Sequence, residues 1–325
     1  MPSIKDVAKL AGVTVTTVSR VLNNRGYISD KTRKKVFEAM KELNYQPNEI
    51  ARSLYRKKSN FLGLIIPDVS HPFFGELTKH IEYYAYKNGY KLLLCNSYLD
   101  STKEKDYIDM LKRNQVDGII MGSHTLETNE YLNLELPIVA FDRYLSDKIP
   151  YITSDNYNGG VIATKLLIER GCKKIAHISG PLELNTPANK RYQGFLDVVK
   201  ENNIDYVVVE TRLNNFDQEE YKRIVIELLK RHPDIDGIFA SSDMIAAVAI
   251  SISELLKRKV PDNLKIVGYD DVKLASLTVP SITTIRQPIE QIAKLSIELI
   301  LKQIEGEKVN IENVLPITLV ERRTA

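Results

Sequence analysis

The stretch IKDVAKLAGVTVTTVSRVLNN, residues 4–24, decides the fold of the amino-terminal part of the chain. Apolar or small residues recur there at steps of three to four positions, which predicts two short amphipathic helices. These positions are Val7, Ala8, Leu10 and Ala11, then Val18, Val21 and Leu22. Gly12 can end the first helix with a positive φ, and the Thr14 hydroxyl can cap the second. We therefore predict two helices that cross over a tight turn, the helix-turn-helix arrangement.

The second helix of this pair carries a face that suits the major groove of DNA. We expect that face to expose short side chains and one long cation, namely Val15, Thr16, Thr17, Ser19, Arg20 and Asn23. Side chains of these sizes can reach base edges and phosphates. A plain surface hairpin of two helices with no ligand fits the same residues, so this stretch alone leaves both interpretations open.

Charge is distributed unevenly along the 325 residues. The formal net charge of the whole chain is +3, but residues 1–60 alone carry +8 and the remainder carries −5. A basic head on an acidic body predicts a polyanionic partner for the head. Because phosphate contacts release counterions, the affinity for that partner should fall steeply with salt.

A third helix completes the head. Residues 30–44 predict this helix, with Ser29 as its cap. Its apolar stripe is expected to consist of Val36, Phe37, Met40 and Leu43. Three short helices close a small core, so we assign residues 1–46 to one DNA-binding domain.

Residues 47–59 are expected to form a linker that includes a hinge helix. Residues 48–56 predict two helical turns, which would be mostly unfolded in isolation and would fold when docked on DNA and against a second copy. Leu54 is then an apolar wedge for a minor-groove base step. The alternative is a plain basic tether in which Leu54 contacts the body, and the residues alone do not separate these two interpretations.

From residue 60 the pattern changes to short apolar runs that alternate with amphipathic helices. The runs predict buried parallel strands at 61–66, 91–96, 116–122, 137–142, 152–155, 174–180, 206–211, 237–240, 264–269 and 281–285. The helices are predicted at 74–88, 103–114, 156–170, 188–202, 217–231, 243–257 and 288–304. This alternation indicates an α/β body, and its length favours two lobes with a cleft between them. We expect one lobe to contain about 60–156 and 288–312, and the other about 157–287 and 313–325.

Ligands of such sheets bind beyond the carboxyl ends of the strands, where this sequence places carboxylates, hydroxyls, an arginine and aromatic rings. Such a set suits a polyhydroxylated ligand, because carboxylates accept from sugar hydroxyls and arginine donates to them. A helix cap or turn is the competing interpretation for each residue. That interpretation is strong for Asp155, Asp243 and Asp271. It is weaker for the residues Asp142, Arg191 and Asp270.

Composition and motifs exclude several other classes. No 18-residue apolar run and no cleavable signal are found, so we expect a cytoplasmic protein with no membrane contact. Cys95 and Cys172 lie in or beside apolar runs, which is typical of buried thiols. The five histidines lack metal-ligand spacing, and no nucleophile elbow or phosphate-binding glycine loop occurs. We predict no enzyme, no metal and no cofactor, since the pair Asp270 and Asp271 has no evident catalytic companion.

Several stretches together resemble the LacI/GalR family of bacterial repressors over essentially the whole chain. In the head they are residues 6–13, 17–23, 41–48 and 51–54, and in the body AHISGP at 176–181, RYQGF at 191–195, VGYDD at 267–271, TTIRQP at 283–288 and VERR at 320–323. Within the family the chain looks most like the sucrose-operon repressors. The stretches that suggest this are LLCNS at 93–97, NQVDGII at 114–120 and FDRYLSD at 141–147.

The resemblance implies a repressor that binds double-stranded operator DNA as a homodimer and has a periplasmic-binding-protein-like core. By matching position, Val15, Thr16 and Arg20 would read base edges. Phosphates would be held by Thr14, Thr17, Ser19 and Asn23. The hinge positions would be Asn48, Ala51, Ser53 and the wedge Leu54. The effector-binding positions would be Ser70, Phe73, Asp142, Arg191, Phe216, Ser242, Asp270 and Gln287.

Three questions stay open at this point. Many members of the family carry Asn where this chain has Ser242, so the resemblance does not identify the sugar hydroxyl that this position contacts. The effector is a sugar or a sugar phosphate, since Arg143 and Arg191 suit a phosphate but pair with Asp equally well. The regulator is released by its effector, or it needs a co-repressor to bind DNA, either a small molecule or a phosphorylated protein partner. A sugar-binding protein with no DNA role is a further alternative, although the basic head argues against it. The leucine heptads of tetrameric relatives are missing, so we expect a dimer.

Overall fold

A computed structural model describes residues 2–46, 58–98, 100–123, 134–183, 186–212 and 217–325. These residues fall into two compact units, Met1–Asn60 and Phe61–Ala325. We call the first unit the head and the second unit the core. The division agrees with the change from short helical segments to strand–helix alternation at residue 60.

The described part of the head contains three helices, α1 (Ile4–Ala11), α2 (Val15–Leu22) and α3 (Asp30–Glu42). Gly12 ends α1 with φ 66°, a left-handed conformation that glycine adopts without a steric penalty. The Thr14 hydroxyl accepts a hydrogen bond from the Thr17 N–H at 3.1 Å, and Ser29 caps α3 in the same way. The helix-turn-helix geometry expected from the sequence is therefore present.

A small apolar core closes the head. It is formed by Val7, Ala8, Ala11, Val18, Val21, Val36 and Ala39. Two residues expected in the apolar stripes lie outside it, because Leu10 is 45% exposed and Phe37 is 52% exposed. On α3 the small side chain of Ala39 occupies the inward position instead, which lets the helices approach closely.

The first lobe of the core is built on a six-stranded sheet in the order β11-β5-β4-β3-β1-β2. Its strands are β1 (Phe61–Ile66), β2 (Lys91–Asn96), β3 (Gly118–Met121), β4 (Ile138–Phe141), β5 (Tyr151–Ser154) and β11 (Glu312–Leu315). All neighbouring strands pair in parallel. The helices of this lobe are α4 (Pro72–Lys87), α5 (Ser101–Arg113) and α11 (Ile289–Ile304).

The second lobe contains a six-stranded sheet in the order β12-β10-β9-β8-β6-β7. Its strands are β6 (Lys174–Ser179), β7 (Asp205–Glu210), β8 (Gly237–Ala240), β9 (Lys265–Asp270), β10 (Thr283–Arg286) and β12 (Thr318–Val320), of which only β12 runs antiparallel to its neighbour. The helices are α6 (Asn156–Glu169), α7 (Lys190–Glu201), α8 (Gln218–Arg231), α9 (Asp243–Leu255) and the short α10 (Lys273–Leu277).

The chain crosses between the lobes three times, after β5, after β10 and between β11 and β12. We expected the last crossing after residue 312, but Glu312–Leu315 pairs with β5 and belongs to the first lobe. This strand lies at the sheet edge and is partly exposed, so it lacks the continuous apolar run that identified the others. Among the described residues no helix is long and apolar enough to cross a membrane.

Candidate functional site

The outer face of α2 presents the side chains predicted to read DNA. Thr14, Val15, Thr16 and Arg20 are exposed, and Val15 leaves 40% of its surface open. Thr17 and Ser19 are half-buried, and the Thr17 hydroxyl lies 2.9 Å from that of Thr14. A long cation beside small side chains on one helix face fits the dimensions of a major groove.

Asn23 has a different place from the one expected. It is half-buried at the end of α2, where its amide nitrogen donates to the carbonyl of Ser19 at 2.9 Å. The same carbonyl also accepts from the Asn23 backbone N–H at 3.0 Å, so the side chain adds a second bond at the end of the helix. The side chain therefore closes the helix instead of extending freely from it.

Five predicted site residues lie outside the described part of the chain. They are the hinge positions Asn48, Ala51, Ser53 and Leu54, and the effector position Phe216. Their roles stay predictions.

In the core, a cleft lies between the lobes at the carboxyl ends of the strands. Its lining includes six predicted effector residues, Phe73, Asp142, Arg191, Ser242, Asp270 and Gln287. The first lobe contributes an aromatic wall of Phe73, Phe74 and Phe141, whose rings contact one another. Polar groups come mainly from the other side. An apolar wall opposite hydrogen-bonding groups suits a sugar, which has C–H faces and a rim of hydroxyls.

Ser70 is the one described effector residue that the structure does not bring to this cleft. It is exposed after β1, where its hydroxyl donates to the Asp68 carboxylate at 2.7 Å and its N–H donates to the same group at 2.8 Å. The turn after the strand uses the polar atoms of Ser70 locally.

Arg191 is held rigidly at the centre of the cleft. Its Nε donates to the Asn156 side chain at 2.7 Å, and Nη1 donates to the carbonyl of Ser241 at 2.9 Å. Nη2 lies 3.9 Å from the Asp142 carboxylate, and the guanidinium lies 3.7 Å from the ring centroid of Tyr269. These contacts fix the direction in which the cation faces a ligand.

Asp142 opposes Arg191 from the first lobe. Its backbone has φ 48°, and its carboxylate accepts from the Thr153 hydroxyl at 2.6 Å. The Asn156 amide donates both to Thr153 and, at 3.5 Å, to Asp142. The carboxylate is thus oriented by neighbours, and its remaining acceptor capacity faces the cleft.

Asp270 ends β9 and is 4% exposed. Its carboxylate accepts from the Gln287 amide at 2.7 Å, and Gln287 in turn accepts from the Ser154 hydroxyl at 2.7 Å. Burial raises the pKa of Asp270 to about 7, while the charge of Arg191 opposes that rise. The carboxyl can therefore change its charge near neutral pH when its surroundings change.

Asp155, Asp243 and Asp271, for which a helix cap or turn was the stronger interpretation, have three different roles in the structure. Asp155 caps α6 by accepting from the Asn158 N–H. At α9 the cap is Ser242, whose hydroxyl accepts from the Ile245 N–H at 3.3 Å, while Asp243 is fully buried. Asp271 is no cap and forms ion pairs with Arg286 and Arg322.

The residues that sequence reasoning missed include His177, which lines the cleft, and Asn156, which contacts the cleft residues Arg191 and Asp142. Asn156 connects Arg191 to Asp142, but an Asn at a helix start carries no distinctive signal. His177 lines the cleft, and its Nδ1 donates to the Phe239 carbonyl at 3.0 Å. Burial lowers the pKa of His177 to about 4, so the ring is neutral at pH 7. A polar residue inside the apolar run KIAHIS was the available clue.

Comparison with known proteins assigns the family. The family model described as bacterial regulatory proteins, lacI family, matches residues 3–48, and that of the periplasmic binding protein-like domain matches residues 164–325. The chain is 45% identical to the ribose operon repressor of Halalkalibacterium halodurans, with 100% of this chain and 97% of that protein covered. The chain belongs to the LacI family.

Further LacI-family proteins agree over the same length. The sucrose operon repressor of Pediococcus pentosaceus is 42% identical, with 100% of this chain and 99% of that protein covered. The protein is therefore a transcriptional repressor and not an enzyme. The predicted helix-turn-helix head and two-lobed core are confirmed.

Two solved structures are similar to this LacI-family chain. A LacI transcriptional regulator from Alkaliphilus metalliredigens in complex with D-xylulofuranose is 38% identical, with a TM-score of 0.76 over 82% of this chain and 98% of that chain. The Lac repressor dimer bound to operator and an anti-inducer is 25% identical, with a TM-score of 0.87 over 99% of this chain and 98% of that one.

Proposed function

We propose that this repressor controls a carbohydrate-utilisation operon and is released from its operator by an unphosphorylated sugar bound in the cleft. The observation that carries the proposal is the arrangement of Asp142, Arg191 and Asp270, three oriented charges that face an aromatic wall. Carboxylates accept from sugar hydroxyls, arginine donates to them, and an aromatic ring covers a C–H face.

The argument against a phosphorylated effector comes from the two candidate arginines. The nitrogens of Arg191 already face Asn156, Ser241 and Asp142. Arg143 is buried, donates to the Ser123 carbonyl and is absent from the cleft lining. A phosphate beside Arg191 would meet the carboxylates of Asp142 and Asp270, and like charges at close range are unfavourable. The other arginine of the lining, Arg212, lies 3.9 Å from the carboxylate of Glu220.

Relatives narrow the sugars worth testing first. Related repressors are named for ribose and sucrose operons, and a similar structure holds D-xylulofuranose. We favour sucrose, because stretches such as FDRYLSD at 141–147 resemble the sucrose-operon repressors. Ribose is the second candidate, since the ribose operon repressor has the higher identity of the two relatives compared above.

The mechanism joins the cleft to the DNA through a homodimer. Two heads would dock on the half-sites of a near-palindromic operator, with Arg20 suited to a guanine. A sugar that binds one arrangement of the lobes more tightly shifts the population toward that arrangement. A preference of about 2.7 kcal/mol corresponds to a roughly 100-fold change in operator affinity.

A thermal-shift screen followed by fluorescence anisotropy on operator DNA tests the proposal. The probes are sucrose, fructose, ribose, sucrose 6-phosphate and ribose 5-phosphate. We expect one unphosphorylated sugar to raise Tm and to weaken operator binding, because a ligand stabilises the state that it binds. Asp270→Ala should lose both responses while keeping DNA binding.

Three outcomes would contradict this account. A phosphorylated sugar that raises Tm more than the free sugar would overturn the preference for an uncharged effector. A sugar that tightens operator binding would indicate a co-repressor. A chain that binds sugar but discriminates no operator would be a sugar-binding protein.

A further inference from the structure

The four residues 270–273 connect the cleft with the first lobe. Asp270 lines the cleft from the second lobe. Two residues later, Val272 is 2% exposed and packs into the apolar core of the first lobe with Leu77 and Ile292. The N–H of Lys273 donates to the Glu76 carboxylate on α4 at 2.6 Å. A short piece of the second lobe is thus anchored on the first at two points.

Asp243 anchors this segment to the second lobe through hydrogen bonds. Its side chain is fully buried at the start of α9, where one carboxylate oxygen accepts from the Val272 N–H at 2.9 Å and the other accepts from the Thr284 hydroxyl at 2.6 Å. A Cβ at Gly268 would lie 2.4 Å from the Asp243 carboxylate, so only glycine leaves room for this group. None of these contacts is used by the cleft itself, because Asp243 is not among its lining residues.

Asp243 also interacts electrostatically with Asp270. Burial and the charge of Asp270 together raise the pKa of Asp243 well above its ordinary value. Two buried carboxyls of like charge destabilise each other, so a change in the charge or solvation of one is felt by the other. The backbone of the segment takes positive φ values, 112° at Asp270 and 56° at Asp271. Positive φ is costly for non-glycine residues, so such a segment favours a few discrete conformations.

We infer that Asp243 is a positioning residue that transmits occupancy of the cleft to the first lobe, through the Val272 backbone and the contact between Lys273 and Glu76. The inference rests on the proposed function, since it gives the sugar-bound cleft its route to α4. A ligand bound to Asp270 changes the electrostatic surroundings of Asp243. Because Asp243 is hydrogen-bonded to the Val272 backbone, the change reaches Val272. The apolar core around Val272 is too densely packed to absorb its displacement. The first lobe then moves with the segment.

The test separates sugar binding from its effect on DNA. Glu76→Gln and Asp243→Asn keep the side-chain shape and replace each carboxyl group with an amide. We expect both variants to bind sugar, by calorimetry, and ligand-free operator, by anisotropy, within about threefold of the unmodified protein. The factor by which sugar weakens operator binding should fall at least tenfold. Glu82→Gln, at an exposed position of the same helix, should leave that factor unchanged.

The inference would be overturned if sugar weakened operator binding by the same factor in both variants as in the unmodified protein. A loss of sugar binding in both variants would also overturn it. A second measurement needs no sugar. If the segment links the two carboxylates, the effects of Glu76→Gln and Asp243→Asn on the unfolding equilibrium constant should deviate from simple multiplication by at least about threefold in the double variant. Purely multiplicative effects would contradict the link. Should no sugar act on the unmodified protein, the proposed function fails, and this cycle still decides the link.

Discussion

Asp270 shows how a single buried carboxyl can make the stability of this protein depend on pH. Its pKa rises to about 7 because burial disfavours the charged form. The folded protein therefore binds more protons than the unfolded chain between about pH 4 and pH 7. The protonated Asp270 carboxyl therefore stabilises the fold relative to the charged form at low pH, and this stability is lost as pH rises through 7.

Asp270→Asn should remove this dependence. Between pH 5 and pH 8, we expect the free energy of unfolding of the unmodified protein to fall relative to the variant by at least about 1 kcal/mol, since one pKa unit corresponds to about 1.4 kcal/mol. Urea titrations at several pH values measure the difference. His71 and His177, whose pKa values burial lowers to about 4, favour folding as pH rises from 4 to 6.5. They are present in both proteins, so their effect cancels, and parallel pH profiles would contradict the prediction.

Arg20 is the residue whose loss should affect DNA reading most specifically. A bidentate contact from arginine to guanine contributes about 1–3 kcal/mol of discrimination. We expect Arg20→Ala to lower the ratio of operator to random-DNA affinity at least tenfold and to leave sugar binding unchanged. Lys41→Ala, which removes an exposed charge on α3, should preserve that ratio. If Arg20→Ala and Lys41→Ala gave the same ratio of operator to random-DNA affinity, Arg20 would not be a residue that reads the base sequence.

At this scale the sequence anticipated residue types better than contacts. Asp142 and Asp270 could be selected because each is at the end of an apolar run, and Arg191 because it lies in the stretch that follows the run at 174–180. Ser70 could not be separated from them, since a hydroxyl after a strand serves a turn as readily as a ligand. His177 was missed because a polar group within a strand reveals neither its face nor its partners.

Among the secondary-structure elements, the close packing of α6 against α7 determines the position of Arg191. Their backbones approach so closely that a Cβ at Gly160 would lie 2.1 Å from the Arg191 carbonyl, and one at Gly194 would lie 2.2 Å from the Tyr157 carbonyl. Neither obstacle is a flexible side chain. Separation of the helices would therefore displace Arg191 from Asn156 and Ser241.

Gly194→Ala should lower the free energy of unfolding by roughly 1–3 kcal/mol, the usual cost of overpacking, and weaken sugar binding as well. Gly180→Ala is the matched control, because a Cβ there meets nothing within 4 Å. Urea unfolding monitored by circular dichroism gives the comparison. An unchanged unfolding midpoint in Gly194→Ala would show that the helices can separate without cost.

The buried strands were the elements best predicted from sequence. All ten apolar runs correspond to strands. Eight of these strands lie inside their sheets and are apolar because both faces are covered, and the edge strands β2 and β7 also contain an apolar run. The sequence did not indicate β11, β12 or α10. The two strands have only four and three residues and are partly exposed, and α10 has only five residues, so none of them contains a long apolar pattern.

At the scale of the whole molecule, charge separates two tasks. The head carries a formal charge of +8 within its first 60 residues, and the rest carries −5. A cationic head is drawn to phosphates, while an anionic body is repelled by them, so we expect DNA contact to be confined to the head. The cleft belongs to the anionic part, so we expect a bound sugar to affect DNA binding through a change in conformation.

The most direct test is selection of binding sites from a random duplex library by the full-length protein, with anisotropy on the enriched site at moderate salt. We predict a near-palindromic consensus that is bound at least 1000-fold more tightly than random DNA. Addition of the stabilising sugar should then weaken that complex roughly 100-fold. A library that yields no consensus, or a complex that every tested sugar leaves intact, would contradict the account.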